Sequence, residues 1–151
     1  MEWIETLRGA IVGLDTAPLI YFIEENPTYL PIVRRFFEAV DRGEFRAVTS
    51  VLTLTEVLIH PLRHGDHNLA DQYRRILLHA SQVMTVPVSE AIAEEAAQQL
   101  RAKHGLRTPD AIQLATAIRS GAASFLTNDS RLPTLIPLNI LVLNQLTATA
   151  S

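Results

Sequence analysis

Five short runs typical of β-strands alternate along this chain with longer segments whose apolar residues recur at helical spacing. The runs occupy residues 10–14, 46–50, 83–88, 124–127 and 140–143. Strands that alternate with helices form βαβ units, in which helices cover both faces of a parallel sheet. Because such strands are buried on both sides, their apolar runs need no regular polar interruptions. We therefore expect an α/β fold of three layers, α/β/α, with a central, mostly parallel sheet of about five strands.

The segments between these runs predict six helices. Apolar residues three and four positions apart indicate helices over residues 16–25, 30–40, 51–62, 69–79, 90–100 and 108–120. Pro61 is expected to kink or shorten the third helix. Gly121 directly follows the last helix and predicts its end, since glycine is the usual residue at that position.

Length and composition predict one globular domain. The chain has 151 residues, of which 48% are hydrophobic, enough for a single core. We expect one domain over residues 1–146 and a disordered tail over 147–151. The absence of cysteine excludes disulfides and thiolate metal sites. Acidic residues near the start and the lack of a long apolar run predict a soluble, cytoplasmic protein without a signal peptide or membrane span.

Acidic side chains follow the predicted strands at positions where an open parallel sheet binds its ligands. Asp15 follows the first strand and Asp129 the fourth, while Glu56 lies one to two turns into the helix after the second strand. Asp110 lies in the first turn of the helix that precedes the fourth strand. Ligands bind outside the carboxyl ends of such strands. We therefore expect these four carboxylates to approach one another.

Each acid taken singly also has a purely structural interpretation. Asp15 could cap the first helix, and Glu56 could close a capping box that begins at Thr53. Asp110 could be stabilised by the dipole of a helix whose N-cap is Thr108. The acid that follows the fourth strand lies in a turn-forming segment. Together they favour a metal site, because clustered carboxylates repel one another unless a cation neutralises them. Oxygen ligands without cysteine or histidine indicate a hard metal, Mg²⁺ or Mn²⁺.

Four segments carry a resemblance to a known family. They read VGLDT at 12–16, SVLTLTEV at 50–57, TPDAIQLA at 108–115 and LTND at 126–129. In this order they resemble the four acidic motifs of the PIN domain, in particular those of the VapC-type toxins of bacterial toxin–antitoxin pairs. The spacing matches from about residue 10 to about residue 143, and the third motif is the most specific.

The resemblance implies a metal-dependent endoribonuclease that hydrolyses phosphodiester bonds in single-stranded or looped RNA. Asp15, Glu56 and Asp110 would be catalytic acids and the core ligands of Mg²⁺ or Mn²⁺. Asp129 would be the fourth catalytic acid, binding a second metal or acting through water. Thr127 would orient the acids through its hydroxyl. The resemblance also implies a cognate antitoxin as partner and a homodimer as the assembly.

Basic and aromatic residues near the acids have two interpretations each. Arg101, Lys103 and Arg107 lead into the third acid and could steer an RNA backbone towards the carboxylates, or they could be a solvated helix end. The aromatic residues could stack on bases, but their helical spacing favours a core or a subunit contact; they are Tyr21, Phe22, Phe36 and Phe37.

Other enzyme classes fit less well, and one non-enzymatic alternative remains. A haloacid-dehalogenase-type phosphatase needs a second aspartate where Ala17 stands, and a receiver domain needs a lysine at a strand end. The single lysine, Lys103, lies elsewhere. A net charge of −3 argues against broad electrostatic binding of duplex nucleic acid. The alternative to a nuclease is a catalytically inactive PIN-like module that binds protein or RNA, although the complete set of acids argues against it.

Overall fold

Five parallel strands form the central sheet of the computed structural model, which describes residues 2–134 and 138–146. The strands are β1 Ile11–Leu14, β2 Arg46–Ser50, β3 Val83–Val86, β4 Ser124–Thr127 and β5 Asn139–Val142. Their order across the sheet is β3-β2-β1-β4-β5, and every neighbouring pair is parallel. The predicted fold class is confirmed. The tail predicted at 147–151 lies outside the described residues.

The helices follow the predicted segments, with differences at their ends. They are α1 Thr16–Ile23, α2 Leu30–Asp41, α3 Val51–Arg63, α4 His67–Arg74, α5 Glu90–Glu95, α6 Ala102–His104 and α7 Thr108–Arg119. A π-helical turn, Arg75–His79, continues α4, and another, Ala96–Arg101, joins α5 to α6. The helix predicted at 90–100 thus runs on to Gly105, whose left-handed conformation, with φ of 65°, ends it.

Three strands also differ from the prediction at their ends, and the first of them, β1, begins at Ile11 instead of residue 10. β3 ends at Val86 instead of residue 88, because Pro87 has no N–H to donate to a neighbouring strand. β5 begins and ends one residue earlier than predicted, since Leu143 already starts a 3₁₀ turn, Leu143–Gln145. Pro61 is buried in the last turn of α3, which ends two residues later.

Alternate residues of the inner strands face two separate apolar clusters, one on each side of the sheet. Leu14 of β1 and Leu126 of β4 belong to the cluster formed with α1 to α4. Val48 of β2 and Phe125 of β4 belong to the cluster formed with α5 and α7. This alternation is the two-residue period of a strand. It produces the three layers.

Gly13 allows α7 to lie close against β1. A Cβ atom at this position would lie 2.7 Å from Cβ of Ala117 and 2.7 Å from Cδ1 of Phe125. Such distances are well below van der Waals contact. The missing side chain therefore sets how closely α7, the helix that carries Asp110, approaches the sheet.

The strand order reverses direction at the middle of the sheet. The chain proceeds from β1 outward through β2 to β3, then crosses to β4 on the other side of β1 and continues to β5. The crevice beyond the carboxyl ends of β1 and β4 is therefore the topological switch point, where open α/β sheets bind ligands. Within the described residues, no helix is both long and apolar enough to cross a membrane.

Candidate metal centre

Asp15 lies at the switch point, where it is the N-cap of α1. The backbone N–H of Thr16 donates to its Oδ1 atom at 2.8 Å, and the hydroxyl of Thr127 donates to its Oδ2 atom at 2.7 Å. Burial raises the pKa of the Asp15 carboxyl, and the nearby carboxylates of Asp110 and Glu56 raise it further. The two hydrogen bonds oppose this rise. Asp15 therefore caps α1 and also lies near Asp110 and Glu56 at the switch point, so its two sequence interpretations do not exclude each other.

Thr127 connects the ends of β1 and β4. Its side chain is fully buried, and its hydroxyl also accepts a hydrogen bond from the backbone N–H of Asp129 at 3.0 Å. The hydroxyl thus uses its single proton for Asp15 and a lone pair for Asp129. This contact fixes both acids relative to the strand from which Thr127 emerges.

Asp110 and Asp129 each have an arginine partner. The Nε atom of Arg107 lies 3.3 Å from Oδ2 of Asp110. Arg131 contacts both carboxylate oxygens of Asp129, with Nε 3.0 Å from Oδ1 and Nη2 3.3 Å from Oδ2. The hydrogen bond from Arg131 lowers the pKa of Asp129. Asp129 is thereby held as a carboxylate, and each of the two acids has a local counter-charge.

Glu56 reaches the site through a hydroxyl. The hydroxyl of Thr16 donates to Oε1 of Glu56 at 3.1 Å. Glu56 is exposed, and it lies close enough to contribute to the raised pKa of Asp15. Glu56 thus lies beside Asp15, but it is outside the two clefts that the other acids line.

A buried polar network supports α3, the helix that carries Glu56. Gln113 of α7 donates from Nε2 to the hydroxyl of Thr53 at 2.7 Å. The hydroxyls of Thr49 and Thr53 are 2.8 Å apart, and Thr49 also donates to the carbonyl of Leu14 at 2.8 Å. The network therefore connects α7, α3, β2 and the residue directly before Asp15.

The structure corrects two of the capping interpretations. Thr53 lies inside α3, whose N-cap is Ser50; the hydroxyl of Ser50 accepts from the N–H of Leu52 at 3.1 Å. The capping box ending at Glu56 is therefore wrong. Thr108 is the first residue of α7 and not its cap, because its preceding residue, Arg107, takes the N-cap position without a side-chain hydrogen bond.

Two adjoining clefts surround the acids. The larger, of 410 Å³, is lined by Asp15, Ala17, Tyr21, Asn128, Asp129, Ser130 and Arg131. The second, of 230 Å³, is lined by His104, Gly105, Leu106, Arg107, Asp110, Asp129, Arg131 and Leu132. Asp129 and Arg131 belong to both clefts. The structure therefore brings Asp15, Asp110 and Asp129 to one surface.

The donor chemistry of this surface suits a hard divalent cation, since every acidic ligand offers carboxylate oxygen. Within residues 2–134 and 138–146, no three acidic or histidine side chains converge as a ready metal cage. The hydroxyls of Thr16 and Thr127 and the guanidinium groups of Arg107 and Arg131 contact the acids. A metal with several waters in its shell needs only a few direct protein ligands. The donor chemistry therefore fits such an ion, which would have to replace Arg107 and Arg131 at the carboxylate oxygens that they contact.

Of the three predicted basic residues, the structure brings only Arg107 to the acids. Arg101 donates from Nη1 to the carbonyl of Leu106, and it lines an apolar cavity between α5 and α7. Lys103 lies in α6. Neither is among the described residues that line the two acidic clefts.

Sequence reasoning missed Arg131, which lines both clefts, and Gln113, which is buried and hydrogen-bonds to Thr53. Arg131 could have been suspected from its place two residues after Asp129. Tyr21, for which helical spacing favours a core or subunit contact over base stacking, lines the larger cleft. Gln113 had no local signal, because its partners lie about sixty residues earlier in the chain.

Comparison with known proteins agrees with this architecture. The family model described as the PIN domain matches residues 12–135. No curated protein sequence matches the chain significantly. Three solved structures share the fold at low sequence identity. The toxin–antitoxin complex from Klebsiella pneumoniae is 22% identical with a TM-score of 0.62, and the alignment covers 86% of this chain and 95% of that one.

DNA-bound VapBC from Salmonella typhimurium is 20% identical with a TM-score of 0.64, covering 89% of this chain and 98% of that one. The Mycobacterium tuberculosis toxin VapC20, described as cleaving the sarcin–ricin loop, is 18% identical with a TM-score of 0.62. Its alignment covers 77% of this chain and 87% of the toxin. The family model spans most of the chain, including Asp15, Asp110 and Asp129. The chain therefore belongs to the PIN domain family, and the resemblance read from its four acidic segments is confirmed.

Proposed function

We propose that this protein is a Mg²⁺- or Mn²⁺-dependent endoribonuclease that hydrolyses phosphodiester bonds in single-stranded or looped RNA. The observation that carries the proposal is the meeting of Asp15, Asp110 and Asp129 around adjoining clefts at the switch point of the sheet. Burial opposes ionisation of Asp15, and neighbouring acids oppose it further. A bound divalent cation would relieve this repulsion.

Asp15, Glu56, Asp110 and Asp129 are the proposed metal ligands and catalytic acids. When bound, Mg²⁺ or Mn²⁺ favours ionisation of water near neutral pH and stabilises negative charge on the phosphate. In hydrolysis, the oxygen of water forms a bond to phosphorus as the bond to the leaving ribose oxygen breaks. One proton of the water is lost to solvent or a carboxylate, and the leaving oxygen gains one.

Thr127 is proposed to position Asp15 and Asp129. Its buried hydroxyl holds one oxygen of Asp15, while the backbone N–H of Thr16 holds the other. Hydrogen bonds of this kind orient metal ligands and commonly affect metal affinity. The predicted role of Thr127 as an orienting hydroxyl agrees with this geometry.

Arg107 and Arg131 are proposed to bind phosphate, for which they would be available if a cation took their place beside the carboxylates. Their side chains are largely exposed, at 78% and 83%, so they can turn from the acids towards a ligand. Guanidinium groups form bidentate hydrogen bonds with phosphate oxygens. Backbone contacts by Arg101 and Lys103 remain a prediction.

The biological role is proposed from the fold neighbours. The Klebsiella pneumoniae structure is a toxin–antitoxin complex, the Salmonella typhimurium structure is a VapBC complex and the Mycobacterium tuberculosis protein is an RNA-cleaving toxin. We propose that this chain is likewise the toxin of a pair, with a cognate antitoxin as its partner. A homodimer and a cytoplasmic location are part of the same proposal.

The proposal is tested by incubating the purified protein with a mixed, structured RNA in Mg²⁺, Mn²⁺ or EDTA. Asp15→Asn and Asp110→Asn should each lower metal-dependent cleavage by roughly 100-fold or more, because each removes one charge from the site. Asp71→Asn is the matched control, since Asp71 is a surface acid paired with Arg74. It should cleave like the wild type.

Two results would contradict the nuclease. Cleavage that survives in Asp15→Asn or in EDTA would show that another site or a contaminant is responsible. Absence of both RNA cleavage and Mn²⁺ binding by calorimetry would favour an inactive PIN-like interaction module.

A further inference from the structure

We infer that the larger cleft is a nucleobase-binding site, in which an unstacked base of the RNA packs against the ring of Tyr21. The inference rests on the proposed function, because it assigns the nucleotide bound beside the same carboxylates. It identifies the ligand as an unpaired nucleotide and distinguishes it from a bare phosphate.

Tyr21 is placed beside the acids by the geometry of α1. Asp15 caps this helix, and Ala17 and Tyr21 follow on one face at positions four residues apart. Both residues line the 410 Å³ cleft together with Asp15 and Asp129. The small side chain of Ala17 leaves space between the carboxylates and the aromatic ring.

Two contacts hold the ring of Tyr21 in position. Tyr29 stacks on one of its faces, with ring centroids 4.8 Å apart and planes inclined by 14°. The amide Nδ2 of Asn128 donates to the Tyr21 hydroxyl at 3.3 Å. A ring fixed in this way loses little conformational entropy when a ligand packs against it.

The residues that hold Tyr21 are themselves connected. The backbone N–H of Asn144 donates to Oδ1 of Asn128 at 3.2 Å, and the Tyr29 hydroxyl donates to Oδ1 of Asn144 at 3.0 Å. The stacked pair is thus attached to the loops that follow β4 and β5. The same loop after β4 carries Asp129.

The other aromatic residues of this region are used for the core. Phe36 is fully buried and Phe37 is 5% exposed. Phe22, next to Tyr21 in the sequence, stacks on Phe37 with ring centroids 4.5 Å apart. Tyr21 is therefore the aromatic residue that the described part of the chain contributes to the larger cleft.

The polar lining of the cleft complements a nucleotide. Arg131 and the carboxylates of Asp15 and Asp129 lie where a phosphate and its cation would bind, while Tyr21 offers an aromatic surface to the attached base. Stacking on an aromatic ring tolerates any base, because every base has a π-face. A base in a duplex is already stacked and paired, so this site would select single strands and loops.

The test uses a short unstructured RNA that carries the fluorescent base 2-aminopurine, titrated with protein in Ca²⁺ and checked afterwards for intact RNA. A set of such RNAs places the fluorescent base at each position in turn. Wild-type protein should bind and change the fluorescence strongly at one position. Tyr21→Leu should weaken binding by about 5- to 140-fold, which corresponds to about 1–3 kcal/mol, and should remove the fluorescence change.

Tyr21→Phe is the matched control, because it keeps the ring and removes only the hydroxyl that contacts Asn128. It should retain the fluorescence change and bind within about 3-fold of the wild type, given the usual modest contribution of one hydrogen bond. An abasic nucleotide at the responsive position should weaken the wild type and have little effect on Tyr21→Leu. Equal Mn²⁺ binding and thermal unfolding of all variants would show that the fold and metal site are unchanged.

Wild-type protein that cleaves RNA while Tyr21→Leu binds and responds like the wild type would overturn the nucleobase site and leave the nuclease intact. Wild-type protein that neither binds nor cleaves RNA would overturn the proposed function and this inference together.

Discussion

At the residue scale, Asp15 is subject to opposing influences. Burial and the nearby carboxylates of Asp110 and Glu56 raise its pKa, whereas hydrogen bonds from Thr127 and the Thr16 backbone lower it. The net shift is upward. The metal-free protein therefore has an electrostatic cost at this position that a cation would remove. The carboxylate that the proposed metal site needs therefore lowers the stability of the metal-free protein.

Asp15→Asn should make the metal-free protein more stable near neutral pH. Because the folded pKa lies above the unfolded pKa, the folded state binds more protons in the window between them. The free energy of unfolding of the wild type therefore falls as pH rises through that window, and the cost persists at higher pH. The asparagine side chain does not titrate, so the free energy of unfolding of the variant lacks this dependence on pH. The difference between the two proteins should grow from about pH 3 upward and then level off.

Urea denaturation in EDTA over a series of pH values measures this difference, with Asp71→Asn as the control for a surface acid. A wild type and Asp15→Asn pair that show parallel stability curves at all pH values would contradict the raised pKa. Addition of Mn²⁺ should reverse the order of stability, because only the wild type then gains from metal binding.

At the element scale, α7 contributes both to the core and to the candidate site. Its apolar face packs on β1 and β2 and forms the second core cluster, while its first turn carries Asp110 towards the acids. Gln113, 3% exposed, also connects it to α3 by way of Thr53. The position of Asp110 therefore depends on how α7 is seated on the sheet, and Gly13 is the contact that allows this seating.

Gly13→Ala should destabilise the protein by roughly 1–3 kcal/mol, the usual cost of inserting a methyl group into a packed core. The added Cβ would meet Ala117 and Phe125 at 2.7 Å, so α7 would have to shift. Urea unfolding measures the loss, and a fall in Mn²⁺ affinity would report displacement of Asp110.

The double variant Gly13→Ala with Ala117→Gly provides the control. Ala117→Gly alone should cost about 1 kcal/mol of helix propensity, but in the double variant it removes one of the two clashing atoms. The two effects should therefore be less than additive by about 0.5 kcal/mol or more. Strict additivity would show that the clash between β1 and α7 is not what destabilises Gly13→Ala.

At the scale of the whole molecule, the proposed metal joins residues from distant parts of the chain. Asp15, Asp110 and Asp129 come from α1, α7 and the loop after β4, and Glu56 comes from α3. An ion bound by these elements is present only in the folded state, so its binding stabilises the whole fold by mass action.

Mn²⁺ at about 100 times its Kd should stabilise the wild type by about 2.7 kcal/mol. For a chain of this length this corresponds to a rise in Tm of roughly 5–11 °C. Thr127→Val should lower metal affinity by about 10- to 100-fold and reduce the rise, because it removes the hydroxyl that holds Asp15. Thr127→Ser should retain most of the rise.

Scanning fluorimetry or calorimetry in Mn²⁺ and EDTA measures these shifts. An equal rise of Tm in Asp15→Asn and in the wild type would place the stabilising ion elsewhere, for example at the exposed His60 and His64, whose rings lie 4.3 Å apart. No rise in any protein would contradict a metal site in this fold.

The sequence by itself determined the class of fold and predicted which acids would approach one another at the edge of the sheet. Both depend on local information. Apolar runs and helical spacing predict elements because each residue's neighbours in sequence decide which backbone conformation buries its apolar side. The position of Asp15 and Asp129 at one edge of the sheet was predictable because both directly follow strands, whose carboxyl ends lie at that edge. Even so, the caps proposed at Thr53 and Thr108 were wrong, since local patterns locate helix ends only within a few residues.

The tertiary structure alone decided which side chains meet. The sequence contains no local sign that β1 lies between β2 and β4, because strand pairing joins residues far apart in the chain. The contact of Gln113 with Thr53 and that of Thr127 with Asp15 depend on this pairing. The placement of Tyr21 at the acidic cleft depends on this pairing as well. Helical spacing alone favours a core or subunit contact for this residue. Spacing gives the angle of a side chain around its helix, and only packing against the other elements decides whether that angle faces a core or a cleft.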